Sequence, residues 1–184
     1  MMFVRITKFL PVLTLLLAGC VTDSVQTSTG RALPPEPREV EPPPSTAPIN
    51  AMAILKDQRP VDTSGNGFPN RLNVAVYLFS RPYPSPRHAQ GSLVFHYYPV
   101  GSIDPVLGAS APPLATWTFG PDVLAASAMQ NIIGPGYELS LDISAIGLSK
   151  LDANGADLVV EFLAENGGGP VRSSTIQRVP FVIY

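Results

Sequence analysis

Tyr137-Glu138-Leu139-Ser140-Leu141-Asp142-Ile143 alternates large apolar residues with polar ones at every step. Side chains on a strand point to opposite faces in turn, so a period of two describes a strand with one buried face and one wet face. The same period recurs along the C-terminal two-thirds of the chain. Leu72, Val74, Val76 and Leu78 alternate with Asn73, Ala75, Tyr77 and Phe79. Leu93, Phe95 and Tyr97 alternate with Val94, His96 and Tyr98, and Leu158, Val160 and Phe162 with Val159, Glu161 and Leu163. Residues 51–56, 114–119 and 175–184 are weaker strand candidates, and Pro180 confines the last of them to a sheet edge. Glycine-rich turn signals fall between the runs, at Ser64-Gly65-Asn66-Gly67, Asn154-Gly155 and Gly167-Gly168-Gly169-Pro170. One short helix is expected near residues 121–129, opened by Pro121 and Asp122 and stopped by Gly134-Pro135-Gly136. About seven short strands with one helix predict a mainly β domain over residues 50–184, an antiparallel β-sandwich. Immunoglobulin-like, C2-like and transthyretin-like topologies all remain open. Trp117, the one tryptophan, is expected in the core between the sheets.

Upstream of the strands the composition changes. Residues 20–49 are rich in Thr, Ser, Glu and Pro, and seven of the fifteen residues 34–48 are proline. Such a segment buries too little apolar surface to offset its ordering entropy. Proline fixes φ and biases its neighbours towards extended geometry, so the segment reads as a semi-rigid spacer. Residues 1–19 have the anatomy of a signal peptide: basic Arg5 and Lys8, an apolar run over 9–17, then small residues. The apolar run is about half the roughly 20 residues that span a bilayer.

Leu17-Ala18-Gly19-Cys20 resembles the lipobox of bacterial lipoproteins. The resemblance implies lipidation of Cys20 and cleavage before it, leaving the chain held on a membrane. Val21 after the cysteine implies outer-membrane delivery in an envelope of Gram-negative type. Beyond the lipobox, the domain resembles envelope lipoproteins with one C2-like or immunoglobulin-like domain. The stretch from Asn66 to Leu78 is similar, more weakly, to the outer-membrane lipoprotein of type VI secretion systems. No site residue carries over from either family.

Charge and chemistry narrow the function further. The formal net charge is −2. Without residues 1–19, ten basic residues stand against fourteen acidic, a net of −4. No basic cluster offers an electrostatic footprint for nucleic acid. Cys20 is the only cysteine, so the domain holds together without an internal disulfide. His88 and His96 stand beside no nucleophile signature, and Ser110 lacks the second glycine of a nucleophile elbow. Asp152, Asn154 and Asp157 are weak calcium candidates, but the full twelve-residue loop with its terminal glutamate is missing, and an ordinary Asn-Gly turn accounts for them. No cofactor is expected. The loop Arg81-Pro82-Tyr83-Pro84-Ser85-Pro86-Arg87 offers Arg81, Tyr83 and Arg87 as interaction residues, types enriched at interface hot spots. Tyr77, Phe79 and Tyr98, with His96, form a second candidate surface. The expectation is a non-enzymatic envelope lipoprotein, anchored in the membrane through Cys20, that presents a binding or structural module to an envelope protein partner. The alternatives are the outer-membrane anchor of a trans-envelope secretion complex and an envelope hydrolase.

Overall fold

The computed structural model describes residues 40–104 and 106–181. The expected signal peptide, Cys20 and the first part of the expected spacer lie outside the described residues. In chain order the elements are β1 (Ala51–Lys56), β2 (Arg71–Phe79), β3 (Pro86–Arg87), β4 (Gly91–Pro99), β5 (Ile103–Asp104), β6 (Gly108–Ala109) and β7 (Ala115–Phe119). There follow α1 (Pro121–Ala126), β8 (Ala128–Asn131), β9 (Gly134–Asp142), a 3-10 turn (Ile143–Ile146), β10 (Gly155–Ala164), β11 (Val171–Arg172) and β12 (Gln177–Pro180).

Two antiparallel sheets face each other. One has the order β1-β2-β9-β8, with β3 also on β2; the other runs β11-β10-β4-β7, with β12 also on β10. The chain passes between sheets from β3 to β4, from β7 through α1 to β8, and from β9 through the 3-10 turn to β10. The expected β-sandwich is therefore present. Its inward residues are the alternating apolar sets: Leu72, Val74, Val76 and Leu78 face Leu93, Phe95, Tyr97, Leu158, Val160 and Phe162, all buried. Each large apolar side chain so buried contributes about 1.5–3 kcal/mol. Trp117 is 5% exposed and sits in this core. Its ring lies edge-on to Tyr97, with centroids 4.9 Å apart, and its Nε1–H donates to the Asp142 carbonyl at 3.0 Å. A single indole thus ties the second sheet to the end of β9 in the first.

The sandwich has two ends. At the far end Arg71 pairs with Asp142 and Pro99 with Ala156. At the near end Ala51 pairs with Phe79 and Gly91 with Ala164. The far end carries a polar knot centred on Asp142. Its Oδ1 accepts from Ser144 N–H, Ser144 Oγ and Asn70 Nδ2, and its Oδ2 accepts from Nε and Nη2 of Arg71. Asn70 is itself buried, and its Oδ1 accepts from Thr63 N–H at 2.7 Å and from Thr63 Oγ1 at 3.1 Å. Among the described residues no buried side-chain nitrogen or oxygen lacks a partner.

Two expectations need correction. The helix stops at Ala126, not near 129, and residues 128–131 form β8 on β9. Gly134-Pro135-Gly136 is part of β9 and not a stop signal. Pro135 is tolerated because the ladder between β9 and β2 begins only at Tyr137; Leu78, further along β2, pairs with Arg87 of β3. A proline without an N–H is admitted where no partner strand requires one. Residues just before β1 also contact the domain. Ile49 packs on the core and the Ala47 carbonyl is bonded to the domain, so the last residues of the expected spacer are a docked strap.

Candidate functional site

The strap frames a cleft of about 890 Å³ at the near end. Residues 45–49 form one wall, and the start of α1 and the loop after β10 form the others. Leu124, Phe162 and Ala125 line it with apolar surface, while Gln90, Asp122 and Glu165 supply polar groups. Mixed linings of this size suit a bound molecule.

The scaffold of the cleft is held by side chains whose polar atoms are already engaged. Arg87 Nη2 donates to the Ala47 carbonyl, and its Nε to Ser80 Oγ at 3.1 Å. Ser80 Oγ also donates to Ala47 O. Asn50 closes the strap against the next loop: its Oδ1 accepts from Arg81 N–H at 2.8 Å and its Nδ2 donates to Arg81 O at 3.1 Å. Tyr137 points inward from β9, and its hydroxyl accepts from Ala89 N–H at 2.8 Å and donates to Ala89 O at 2.9 Å. Burial raises the Tyr137 phenol pKa, against smaller lowering effects of the Ala89 bond and the Arg87 charge. His88 lies 5.1 Å from the Tyr137 ring, and its Nε2 donates to the Gly136 carbonyl at 2.9 Å. That bond fixes the tautomer, because a carbonyl can only accept.

The residues expected to form interaction surfaces do not gather in one place. Arg87 is a structural clamp on the strap. Arg81 and Tyr83 lie on the near-end loop, which contains a cis Arg81–Pro82 bond; Arg81 is exposed and Tyr83 partly so. Tyr77 is 2% exposed, so it is no surface residue. Its hydroxyl accepts from Asn131 Nδ2 at 2.7 Å, and Gly136 makes room for the ring: a Cβ there would come within 2.9 Å of it. Phe79 shares β2 with Tyr77, whereas Tyr98 and His96 belong to β4 in the other sheet. The second candidate surface is therefore split between two sheets. His96 Nδ1 meets Thr116 Oγ1 at 3.0 Å on the outer face of β4 and β7. Burial lowers the His96 pKa; nearby Glu161 opposes this and Arg172 adds to it.

The calcium candidates also separate. Asp152 and Asn154 line a smaller hollow at the far end. Asp157 is buried, with Oδ1 accepting from Arg178 Nε at 3.1 Å and Oδ2 from Gly101 N–H at 2.7 Å. Its two oxygens are occupied, and among the described residues no cluster of three His, Cys, Asp or Glu could hold a metal ion. Ser110 is held in the hairpin of β5 and β6, with its Oγ donating to Ser102 O. Sequence reasoning missed the strap and Tyr137 as site elements. A buried tyrosine needs a partner for its hydroxyl, and that was the available signal.

Comparison with protein-family models, with curated proteins and with solved structures gives no match. Among the described residues no helix is long and apolar enough to cross a membrane.

Proposed function

We propose that the chain is a lipid-anchored envelope protein whose β-sandwich is a non-enzymatic binding or structural module. The lipobox-like Leu17-Ala18-Gly19-Cys20 and the proline-rich spacer support the anchor, with outer-membrane delivery following from Val21. The observation that carries the binding half is the cleft itself. Its apolar walls remain open, while Arg87, His88 and Tyr137 around it are engaged in holding backbone. Such an arrangement is suited to holding a partner and supplies no free nucleophile–base pair. The strap that forms one wall is also the way from spacer to domain, so the binding site is joined to the tether.

Two measurements test this reading. Metabolic labelling with a clickable palmitate should mark the wild-type protein and not Cys20→Ala; label that survives the substitution refutes the anchor. A photo-crosslinking residue at Gln90 should trap one discrete partner in the envelope, whereas one at Thr118, on the outer face of β7, should not. No adduct at Gln90, or equal adducts at both positions, refutes the cleft as the binding site.

A further inference from the structure

The turn joining β8 to β9 exposes two large apolar side chains at its tip. Asn131 pairs with Gly134, leaving Ile132 and Ile133 as the turn. Two-residue hairpins favour Gly, Asn or Asp, which adopt positive φ readily. Here two β-branched residues fill the turn, neither with positive φ. Ile132 is fully exposed, and Ile133 is 45% exposed. Asn131 and Gly134 supply the positions the turn depends on, so folding asks for no isoleucine at 132 or 133, and two exposed apolar side chains there point to a role outside folding.

The tip is held firmly. Asn131 Oδ1 accepts from Ile133 N–H at 3.0 Å, while its Nδ2 donates to the buried Tyr77 hydroxyl at 2.7 Å. Gly134, at φ +126°, packs so closely on Pro86 that a Cβ would lie 2.9 Å from that ring. Pro86 ends the loop that begins at exposed Arg81, and Arg81 is bonded to Asn50 of the strap. The isoleucine tip therefore lies at the end of the sandwich where the chain arrives from the spacer. Between Cys20 and Ser45 stand 24 residues. A chain of that length reaches roughly 80 Å when fully extended, so the near end can meet the surface that holds Cys20.

We propose that Ile132 and Ile133 form a wedge that enters the lipid surface to which the chain is tethered, so that the near end of the sandwich faces the membrane. This rests on the anchor reading above. Exposed branched side chains gain by leaving water, and a lipid chain with a second contact fixes an orientation that a tether alone leaves free. The opposite end supplies a built-in comparison. Val106 and Leu107, in the hairpin of β5 and β6, are 90% and 87% exposed, more than Ile133, with their N–H groups held by Asp104 Oδ1, so exposure alone does not choose between the two ends and the tether does.

The test uses full-length lipidated protein in phosphatidylethanolamine–phosphatidylglycerol vesicles. Lipidation consumes the Cys20 thiol, so Ile132→Cys or Leu107→Cys carries the only reactive thiol for an environment-sensitive fluorophore. The expected result is a blue shift and loss of most emission to spin-labelled lipid at position 132. Position 107 should keep its aqueous emission, and Ile133→Ser should reduce the quenching at 132. Unchanged melting of each variant verifies the fold. Aqueous emission at 132 in palmitate-labelled, vesicle-bound protein overturns the wedge and leaves the anchor standing. Quenching at 107 instead overturns the orientation. Absence of palmitate label overturns anchor and wedge together.

Discussion

Tyr137→Phe removes one oxygen and two hydrogen bonds. The phenol both accepts from Ala89 N–H and donates to Ala89 O, at 2.8 and 2.9 Å. Each such bond is worth about 0.5–1.5 kcal/mol net, so losing both costs about 1–3 kcal/mol. Ala89 is partly exposed, so water can satisfy its freed groups and the lower half of that range applies. The ring keeps its place against His88 and the core, so no cavity term is added. For a domain of this size about 2–4 °C of melting temperature is lost per kcal/mol, a fall of roughly 2–8 °C. Denaturant unfolding and thermal melting read the total. Hydrogen exchange locates it: the Ala89 amide should lose protection, while core amides of β4 and β10 drop only with the global stability. An unchanged melting temperature together with a still-protected Ala89 amide would refute the account of Tyr137 as the stitch beneath the cleft.

The Asp142 carboxyl is pushed up by burial, but hydrogen bonds from Ser144 and Arg71 and the Arg71 charge outweigh this and hold its pKa below the ordinary value. Its stabilising contribution is thus complete above the unfolded pKa of about 3.9 and is lost as pH falls through the lower folded value. Urea unfolding followed from about pH 5 to pH 2 should show this loss, and Asp142→Asn should flatten it; a parallel slope in the variant contradicts it. Trp117→Ala should cost about 3–5 kcal/mol, and the wild-type emission should be blue-shifted until unfolding; emission typical of water in the native protein is the contrary result. Arg87→Ala removes the clamp on the Ala47 carbonyl. Limited proteolysis should then cut within residues 44–50 at a much higher rate with the core intact, and an unchanged rate contradicts the docked strap.

Much of the fold was legible because a two-residue period needs only hydrophobicity to be read. All seven expected strands correspond to strands of the sandwich, and Trp117 lies in its core. The failures came where local signals compete. Asp122 and Pro121 do start a helix, but pairing of Ser127 O with Glu138 N–H draws the following residues into β8. Gly134-Pro135-Gly136 carries breaker chemistry, yet sits in the sheet where no partner strand needs the Pro135 N–H and where Pro86 and Tyr77 leave no room for side chains on the two glycines. Tyr77 alternates with the core residues of β2, so the period placed it outside; cover from the Asn131 side, which no short-range pattern encodes, buries it. The cleft was illegible for a similar reason. Its walls come from residues 45–49, 87–90, 121–128 and 162–169, and sequence distance hides their meeting.

The strap has a mechanical consequence. Tension applied through residues 40–50 reaches β1 at Ala51, the near-end terminus of that strand, and pulls along its length. All six register pairs between β1 and β2 then bear load together in shear, instead of opening one at a time from an end. Before that load arrives, the Asn50–Arg81 and Arg87–Ala47 bonds must part. Force arriving through the strap meets the sheet along β1, and the buckle of Asn50 and Arg87 yields first.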